Sequence, residues 1–525
     1  MRLSNLGILA HIVLAFLCFC QNLARLWGGM FRAYKISPVL ICSIVVFLSA
    51  GELISKTPLY YVALMAIAML CGMVTYNLLG GLSTIGGFFF ATLFVRTIAF
   101  SQFIKVILLE PADGNLERPQ LTILVYAVFY MCLMVGAYVS AGIRLKLPKP
   151  ASMEAGSYSM ALYAVTFVIG AAASVAMEAT ETPYGGESQY GVFHQLGVAL
   201  SWLLLLSEIV AIERRLELSE GKKSFDIWVL LPWTLITYFG FIDTERRMMI
   251  MPVLIYIAIC YLRKFHFRFL HVALFASGMV AFYFVMSPFA TFARFALGSL
   301  PLSERIAYAP VYFASHHDPR EIASAANSAD TSGAEPRENY FNRPSYAPLS
   351  RFALIRMDSN LVNATATGNH YGFDTIRIKL ESITPSVISK NKRMDILGDD
   401  YIGRITGVSG DAPGVTAPSV SPVAESYGAF GWLGVVIIPL FVYPLFFVEY
   451  NSIFNMRDLW SIIAIGLGIN SFAEEGIYGI VGLSVRLPVI LIVVSFLIHF
   501  VSGRYFVRSQ HTDQPEEHSE VAGAC

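Results

Sequence analysis

The chain has 525 residues, of which 56% are hydrophobic and only 14% are charged, and its 37 basic side chains balance 37 acidic ones. Soluble proteins carry about 25% charged residues, so this composition excludes an ordinary soluble globular protein and predicts a polytopic membrane protein. No broad basic domain with interleaved aromatic residues is present, which excludes a nucleic-acid partner.

Apolar runs close to the length of a membrane-spanning helix, about 20 residues, follow one another as far as residue 290. Ten spans are predicted, at about 6–19, 38–50, 59–79, 84–109, 121–143, 160–177, 196–212, 227–242, 248–262 and 270–289. The sixth contains the small-residue run 170–174, which predicts close packing on a neighbouring helix.

A long polar segment, residues 291–428, then interrupts the apolar pattern, and we refer to it as the polar island. Three further spans are predicted at about 432–448, 459–472 and 485–501. The sequence therefore predicts an all-α polytopic membrane protein with about 12–14 transmembrane helices and a large, partly helical loop between the tenth and eleventh spans. The predicted domains are an N-terminal transmembrane bundle (1–290), the loop domain (291–428), C-terminal transmembrane helices (429–508) and a disordered cytoplasmic tail (509–525).

Short basic loops predict the orientation of the chain. Lys and Arg side chains collect in the segments 25–35, 144–149, 214–223, 263–268 and 504–508. The positive-inside rule places such loops in the cytoplasm. The polar island is therefore expected on the outer side.

Within the polar island, the pattern predicts a short amphipathic helix at 301–312 and a mobile loop at 321–345. From residue 349 to 383 the apolar period is helical, and Gly368 and Gly372 divide the stretch into two helices ended by Pro385. Residues 403–422, rich in Gly, Pro, Ser and Thr, are expected to form an extended loop.

Arginine is the most frequent candidate binding residue in this region. It pairs bidentately with phosphate and stays charged when partly desolvated. Five candidates lie on the polar island, the first of them where the chain leaves the tenth span: Arg294, Arg351, Arg356, Arg377 and Arg393. Two more, Arg96 and Arg486, lie within predicted spans, where a charge usually faces a pathway or a partner. The alternative interpretation is a set of solvated helix faces with local salt bridges.

A carboxylate opens the eleventh span. Glu425 stands where a helix N-terminus favours negative charge. It is either a functional acid or an ordinary N-terminal helix carboxylate. The acidic pair Asp399 and Asp400 lacks further ligands and indicates a solvated turn, so no metal site and no cofactor is predicted.

The sequence resembles the bacterial O-antigen polymerase family, the oligosaccharide repeat-unit polymerases. The resemblance depends on the large outer loop late in a many-span chain and on three local features. The first is the motif Glu425-x-Tyr427-x-x-Phe430-Gly431-x-x-Gly434 after a Gly/Pro-rich loop. The others are the Arg351–Arg356 helix, which leads to Ile383-Thr384-Pro385 and then Lys390 or Lys392, and the turn Arg246-Arg247. Members often have Asn before the Phe and Gly before the Glu, where this chain has Ala429 and Ala424. The related O-antigen ligases share the fold and typically place a His near the position of Glu425.

The resemblance implies a metal-independent membrane glycosyltransferase, similar to class C, in the bacterial inner membrane with its large loop in the periplasm. It would move a growing glycan from undecaprenyl diphosphate onto a lipid-linked repeat unit. Glu425, or else Asp358, would act as the base, and the seven arginines would stabilise the leaving diphosphate. The partners implied are undecaprenyl-diphosphate-linked oligosaccharides, membrane lipid and a chain-length regulator protein.

Two other functions stay open: a ligase-type transferase, and a flippase or exporter of lipid-linked oligosaccharides. The chain has no P-loop, no GxSxG elbow and no HExxH motif, and no inverted repeat is evident. A transporter should carry polar residues through the middle of several spans, whereas here they collect on one face. This distribution favours an enzyme over an exporter, and a purely structural scaffold would leave the cations unexplained.

Overall fold

The computed structural model describes residues 35–151, 159–180, 192–243, 245–267, 269–282, 286, 289–290, 293, 297, 300–315, 340–342, 353–368, 370–384, 420–456, 458–474 and 476–510. Several predictions lie wholly or mostly outside these ranges: the span at 6–19, the loops at 321–345 and 403–422, the tail at 509–525, and the candidate residues Arg294, Arg351 and Arg393.

The described residues form helices and no strands, as the composition predicts. In chain order the α-helices are α1 (Pro38–Ile54), α2 (Leu59–Leu78), α3 (Ile85–Phe94), α4 (Phe100–Leu108), α5 (Pro119–Ser140), α6 (Met160–Thr180), α7 (Val192–Leu200), α8 (Leu203–Leu218), α9 (Ile227–Ile242), α10 (Arg246–Leu262), α11 (Phe269–Ala281), α12 (Leu302–Ser315), α13 (Ile355–Thr365), α14 (Asp374–Ile383), α15 (Pro422–Ile437), α16 (Tyr443–Ile453), α17 (Leu459–Glu474) and α18 (Gly476–Gln510).

Seven helical rods in the described part of the chain are long and apolar enough to cross a membrane. They are Leu59–Ser83, Ile85–Leu108, Pro119–Ser140, Met160–Thr180, Leu196–Leu218, Pro422–Ile453 and Gly476–Phe500. Four shorter apolar helices accompany them, at Pro38–Ile54, Ile227–Ile242, Met248–Leu262 and Leu459–Ile469. The chain is therefore an all-α membrane protein, while the total of 12–14 spans stays a prediction.

Two of the rods contain a π-helical turn in their middle, at Val95–Ala99 and at Ile438–Val442. Such turns are frequent at functional sites. The first carries Arg96, and the second packs against α5, where Gly136 lets the two backbones approach closely. An added Cβ at Gly136 would lie 2.6 Å from the carbonyl oxygen of Leu440.

Aromatic side chains fill the centre of the bundle. Phe89 on α3 is fully buried and meets Phe446, Tyr450 and Phe472 with ring centroids 5.2–5.6 Å apart. The small-residue run of α6 also behaves as predicted, since a Cβ at Gly170 would lie 2.3 Å from the backbone nitrogen of Leu204. Packing of this kind is the main source of helix association in lipid.

The helices predicted inside the polar island are confirmed. The amphipathic segment becomes α12, and the 349–383 stretch becomes α13 and α14, separated by Gly368 and Gly372 at positive φ of 97° and 60°. Arg305 fastens α12 to the bundle, because its guanidinium lies 2.8 Å from Asp243 and 3.6 Å from Glu178.

The eleventh span begins earlier than its hydropathy indicates. Helix α15 starts at Pro422, capped by the Ser421 side chain, rather than near Trp432. The first turns of this helix contain Glu425, Ser426 and Tyr427, which lower the hydropathy of the segment, but these residues are buried where the helix packs against α13. As a result Glu425 lies inside the packed structure.

Candidate functional site at the junction of α13 and α15

Helix α13 of the polar island is built into one end of the transmembrane bundle. The backbone N–H of Leu354 donates to the carbonyl oxygen of Arg96 at 3.2 Å, and the N–H of Arg118 donates to Ser359 Oγ at 3.2 Å. Thr122 Oγ1 contacts the same hydroxyl at 3.1 Å. These contacts hold α13 against α5 and the π-turn of the second rod.

Asp358 is the central contact between α13 and the start of α15. Its side chain is fully buried. Oδ2 accepts hydrogen bonds from Tyr126 Oη and from Ser421 Oγ, the latter at 2.5 Å, while Oδ1 accepts from the backbone N–H of Ser421 at 2.7 Å. One carboxylate therefore joins a bundle helix, an island helix and the cap of α15.

The environment of Asp358 opposes its ionisation. Removal from water raises the pKa of this carboxyl to about 6, although hydrogen bonds from Ser421 and Tyr126 act in the opposite direction. Desolvation is the larger effect because it acts on the whole charge, whereas each hydrogen bond recovers only part of the lost hydration. Burial therefore favours the protonated form of Asp358 more than water does.

Glu425 lies one turn into α15 and is only 1% exposed. Its Oε2 accepts a hydrogen bond from the backbone N–H of Ile477 at the start of α18. Gly476 makes this approach possible: it has a φ of 59°, and a Cβ there would overlap Oε2. Glu425 is thus held between the N-terminal ends of two membrane helices, where backbone N–H groups favour a negative charge.

The helical backbone of α15 is interrupted shortly after Glu425 and Tyr427. Phe430 and Gly431 leave the helical conformation, Gly431 with a φ of 60°. The carbonyls before the break bond instead to the segment between α13 and α14: the Tyr371 N–H donates to Gly428 O at 3.2 Å, and the Gly372 N–H donates to Ala429 O at 2.9 Å. Tyr371 Oη also donates to Glu425 O at 3.1 Å.

This pairing brings a histidine to the break. The His370 ring is exposed and meets Tyr427 edge to face, with centroids 5.8 Å apart. A Cβ at Gly431 would lie 3.0 Å from His370 Nε2, so the glycine makes room for the imidazole. Phe373 and Phe430 meet nearby edge to face, with ring centroids 4.7 Å apart.

The structure gathers some of the predicted arginines and separates others. Arg96 and Arg356 both lie at the N-terminal end of α13, and Lys105 lies within electrostatic range of Arg356. In contrast, Arg377 is 59% exposed and pairs with Asp374 at 3.3 Å and Glu381 at 3.9 Å. Arg486 is exposed on α18, about 15 Å along that helix from Gly476.

The predicted residues that come together are therefore Glu425, Asp358, Arg356 and Arg96. Sequence reasoning missed Tyr126, Ser421, Tyr371, His370 and Lys105 as neighbours of these four. Ser421 is the N-cap of the helix that carries Glu425 and has a local signal, since it stands directly before Pro422. The others reach the site from separate segments: Tyr126 from α5, Lys105 from α4, and His370 with Tyr371 from the connection between α13 and α14. Among the described residues no group of three or more His, Cys, Asp or Glu side chains could hold a metal ion.

No family model matches this sequence, and no curated protein and no solved structure matches it either.

Proposed function

We propose that this chain is a membrane glycosyltransferase that extends a polysaccharide by transferring a glycan from a lipid diphosphate to a lipid-linked repeat unit. The observation that carries the proposal is the junction of α13 and α15: the turn of α13 that carries Arg356 bonds to the backbone of Arg96, and the buried carboxylates Asp358 and Glu425 lie where α13 meets α15. The resemblance to the O-antigen polymerases supplies the reaction class, and the bundle is the membrane setting it requires.

Sidedness supports the same proposal. Helix α13 docks at the N-terminal end of α5, and the basic residues Arg144 and Lys149 follow the opposite end of that helix. If the basic loop is cytoplasmic, the site faces the outer side, which is the periplasm for a bacterial inner-membrane protein. Lipid-linked sugars delivered to that leaflet would reach the junction from the membrane.

In the proposed reaction, the acceptor sugar hydroxyl attacks the anomeric carbon of the donor glycan. A new carbon–oxygen bond forms there as the bond to the diphosphate oxygen breaks, and the leaving diphosphate keeps the electron pair. The hydroxyl proton passes to Glu425, whose position is fixed by Ile477. Arg96 and Arg356 stabilise the charge that develops on the diphosphate. Asp358 holds these elements in register rather than meeting the substrate.

The test uses purified protein in nanodiscs with lipid-linked repeat units, and the product is measured as a ladder of glycan lengths. We expect Glu425→Gln to reduce the ladder by at least about a hundredfold, since a general base typically contributes 10²–10⁴-fold. Glu449→Gln is the matched control, because Glu449 lies near the other end of the same rod. A normal ladder from Glu425→Gln would remove Glu425 from the mechanism.

His370 favours a second candidate, the ligase-type transferase. Ligases typically carry a His near the position of Glu425, and here an exposed imidazole reaches Tyr427 from another segment. A ligase would transfer the glycan once to a different acceptor and give no ladder. A flippase would move lipid-linked oligosaccharide across the membrane without forming any glycosidic bond.

A further inference from the structure

A second polar cluster lies beside the proposed site, between α1, α2, α4 and the turn that precedes α5. Its central residue is Glu52 in the last turn of α1. The Glu52 side chain is fully buried, and within the described structure no protein group forms a hydrogen bond with either of its carboxylate oxygens. A buried carboxylate without a donor or a counter-charge is costly.

The groups around Glu52 are almost all oxygen ligands. Two buried phenols, Tyr61 and Tyr340, lie within its electrostatic range, and the buried carboxamide of Gln102 lies beside both phenols without a well-formed hydrogen bond to either. Among the described residues, the charged group that acts on Glu52 is Asp113, another acid. The second carboxylate therefore increases the need for a positive charge.

The cation of this cluster, Lys105, is already paired with another acid. Lys105 is fully buried, and its Nζ lies 3.2 Å from Glu110 Oε2 and 4.5 Å from the centre of the Tyr340 ring. This ammonium offsets the charge of Glu110. When all four groups are ionised, the cluster of Glu52, Glu110, Asp113 and Lys105 carries a net charge of about −2, three acids against one base.

We propose that Glu52 and Asp113 bind one divalent cation, with the Gln102 amide oxygen and the Tyr61 hydroxyl as further oxygen ligands. The charge matches a divalent ion. Ca²⁺ fits better than Mg²⁺, because a set of carboxylate, amide and hydroxyl oxygens from separate segments suits the flexible coordination of Ca²⁺, whereas Mg²⁺ demands near-octahedral geometry and retains water. The hard oxygen ligands disfavour Zn²⁺ and Cu²⁺.

The site would fasten the polar island to the bundle. Residues 340–342 of the island cross over the cluster: Tyr340 Oη donates to Ala112 O at 2.9 Å, and the Asn342 N–H donates to Glu110 Oε2 at 3.1 Å. Asn115 Nδ2 donates to Asn342 Oδ1 at 2.8 Å. A cation bound beneath this crossing would stabilise it. The role is structural and separate from glycosyl transfer.

The experiment uses the full-length protein in nanodiscs, stripped with EDTA and titrated with CaCl₂ or MgCl₂. We expect Ca²⁺ to raise the apparent melting temperature by a few degrees once it exceeds its dissociation constant about a hundredfold. Equilibrium binding of ⁴⁵Ca²⁺ should give one site per chain. Glu52→Gln should abolish both effects, and without Ca²⁺ this variant should melt no lower than the wild type, since it removes an unbalanced buried charge.

Glu208→Gln is the matched control. Glu208 is equally buried in α8, and no described group forms a hydrogen bond with its carboxylate, but it lies outside the cluster. This variant should keep the full Ca²⁺ response. Should Glu52→Gln fold poorly, Asp113→Asn, at a partly exposed position, serves instead.

The proposal is overturned if the wild type neither binds ⁴⁵Ca²⁺ nor gains stability, which would mean that Glu52 is neutralised by a proton. It is also overturned if Glu52→Gln responds like the wild type. Neither outcome depends on glycan synthesis, so neither outcome bears on the proposed reaction.

Discussion

Asp358 and Glu425 have similar burial but different surroundings. Asp358 receives hydrogen bonds from two hydroxyls and one backbone N–H, and these partners come from α5 and from the cap of α15. Glu425 instead meets the backbone at the head of α18. The surroundings of Asp358 are those of a residue that joins helices, whereas Glu425 is an acid held at a helix N-terminus. We therefore assign the proton transfer to Glu425 and the positioning role to Asp358.

The raised pKa of Asp358 predicts how stability depends on pH. Its pKa is about 6 in the folded protein against an ordinary value of 3.8. Folding therefore favours the protonated form, so the contribution of this group to stability is fully present below about pH 4 and is lost as pH rises through 6. Asn cannot titrate and serves as the reference side chain.

We expect the apparent melting temperature of the wild type, minus that of Asp358→Asn, to increase as pH falls from 7 to 4. Scanning fluorimetry at several pH values measures this difference, and every other titrating group cancels. A difference that stays constant, or that shrinks towards acid pH, would show that Asp358 is not desolvated as the structure has it.

At the scale of the helices, close backbone approach decides how α5 meets the π-turn of the eleventh span. Gly136 leaves no room for a methyl group, because its Cβ would lie 2.6 Å from Leu440 O and 2.6 Å from Pro444 Cγ. The neighbouring backbone cannot move aside without shifting the rod that carries Glu425. Steric fit at one glycine thereby sets the position of the site.

Gly136→Ala should accordingly lower stability by about 1–3 kcal/mol, the usual cost of overpacking. Gly278→Ala in α11 is its control: this glycine is also helical, and no described atom lies within 4 Å of its added Cβ. Ala favours helix over Gly by about 1 kcal/mol, so the control should be neutral or slightly stabilising. Equal melting temperatures for the two variants would contradict the packing at Gly136.

At the scale of the whole molecule, the proposed function requires the junction of α13 and α15 to face the outer side. Phe373 lies next to that junction and is 71% exposed. Lys222, with a side chain 76% exposed, lies in one of the basic loops. If the basic loops are cytoplasmic, the proposed function requires the two positions to lie on opposite faces of the membrane.

In a background without native cysteines, Phe373→Cys should react with a membrane-impermeant maleimide in intact cells. Lys222→Cys should react only after the inner membrane is opened. Mass spectrometry or a gel shift measures the labelled fraction. The reverse pattern would put the site in the cytoplasm and would rule out the proposed reaction there.

Local sequence patterns are sufficient to predict the all-α membrane class, the approximate bounds of most apolar helices that the structure describes, and the three helices inside the island. These depend on local patterns: an apolar run of membrane length, a period of 3.6 residues, and glycines at positive φ between α13 and α14. The sequence also singled out Glu425 and Arg356, because a carboxylate opening a membrane helix and an arginine beside an apolar stripe are visible without coordinates.

Which charged and polar groups come together depends on the packing of distant segments. The start of α13 bonds to the backbone of Arg96, His370 contacts Tyr427, and Asp113 lies within electrostatic range of Glu52, although the members of each pair lie far apart in the chain. Arg377 and Arg486, which look equivalent to Arg356 in sequence, face away from the junction. Burial and electrostatic environment arise from the packing of several segments, and no single segment encodes them.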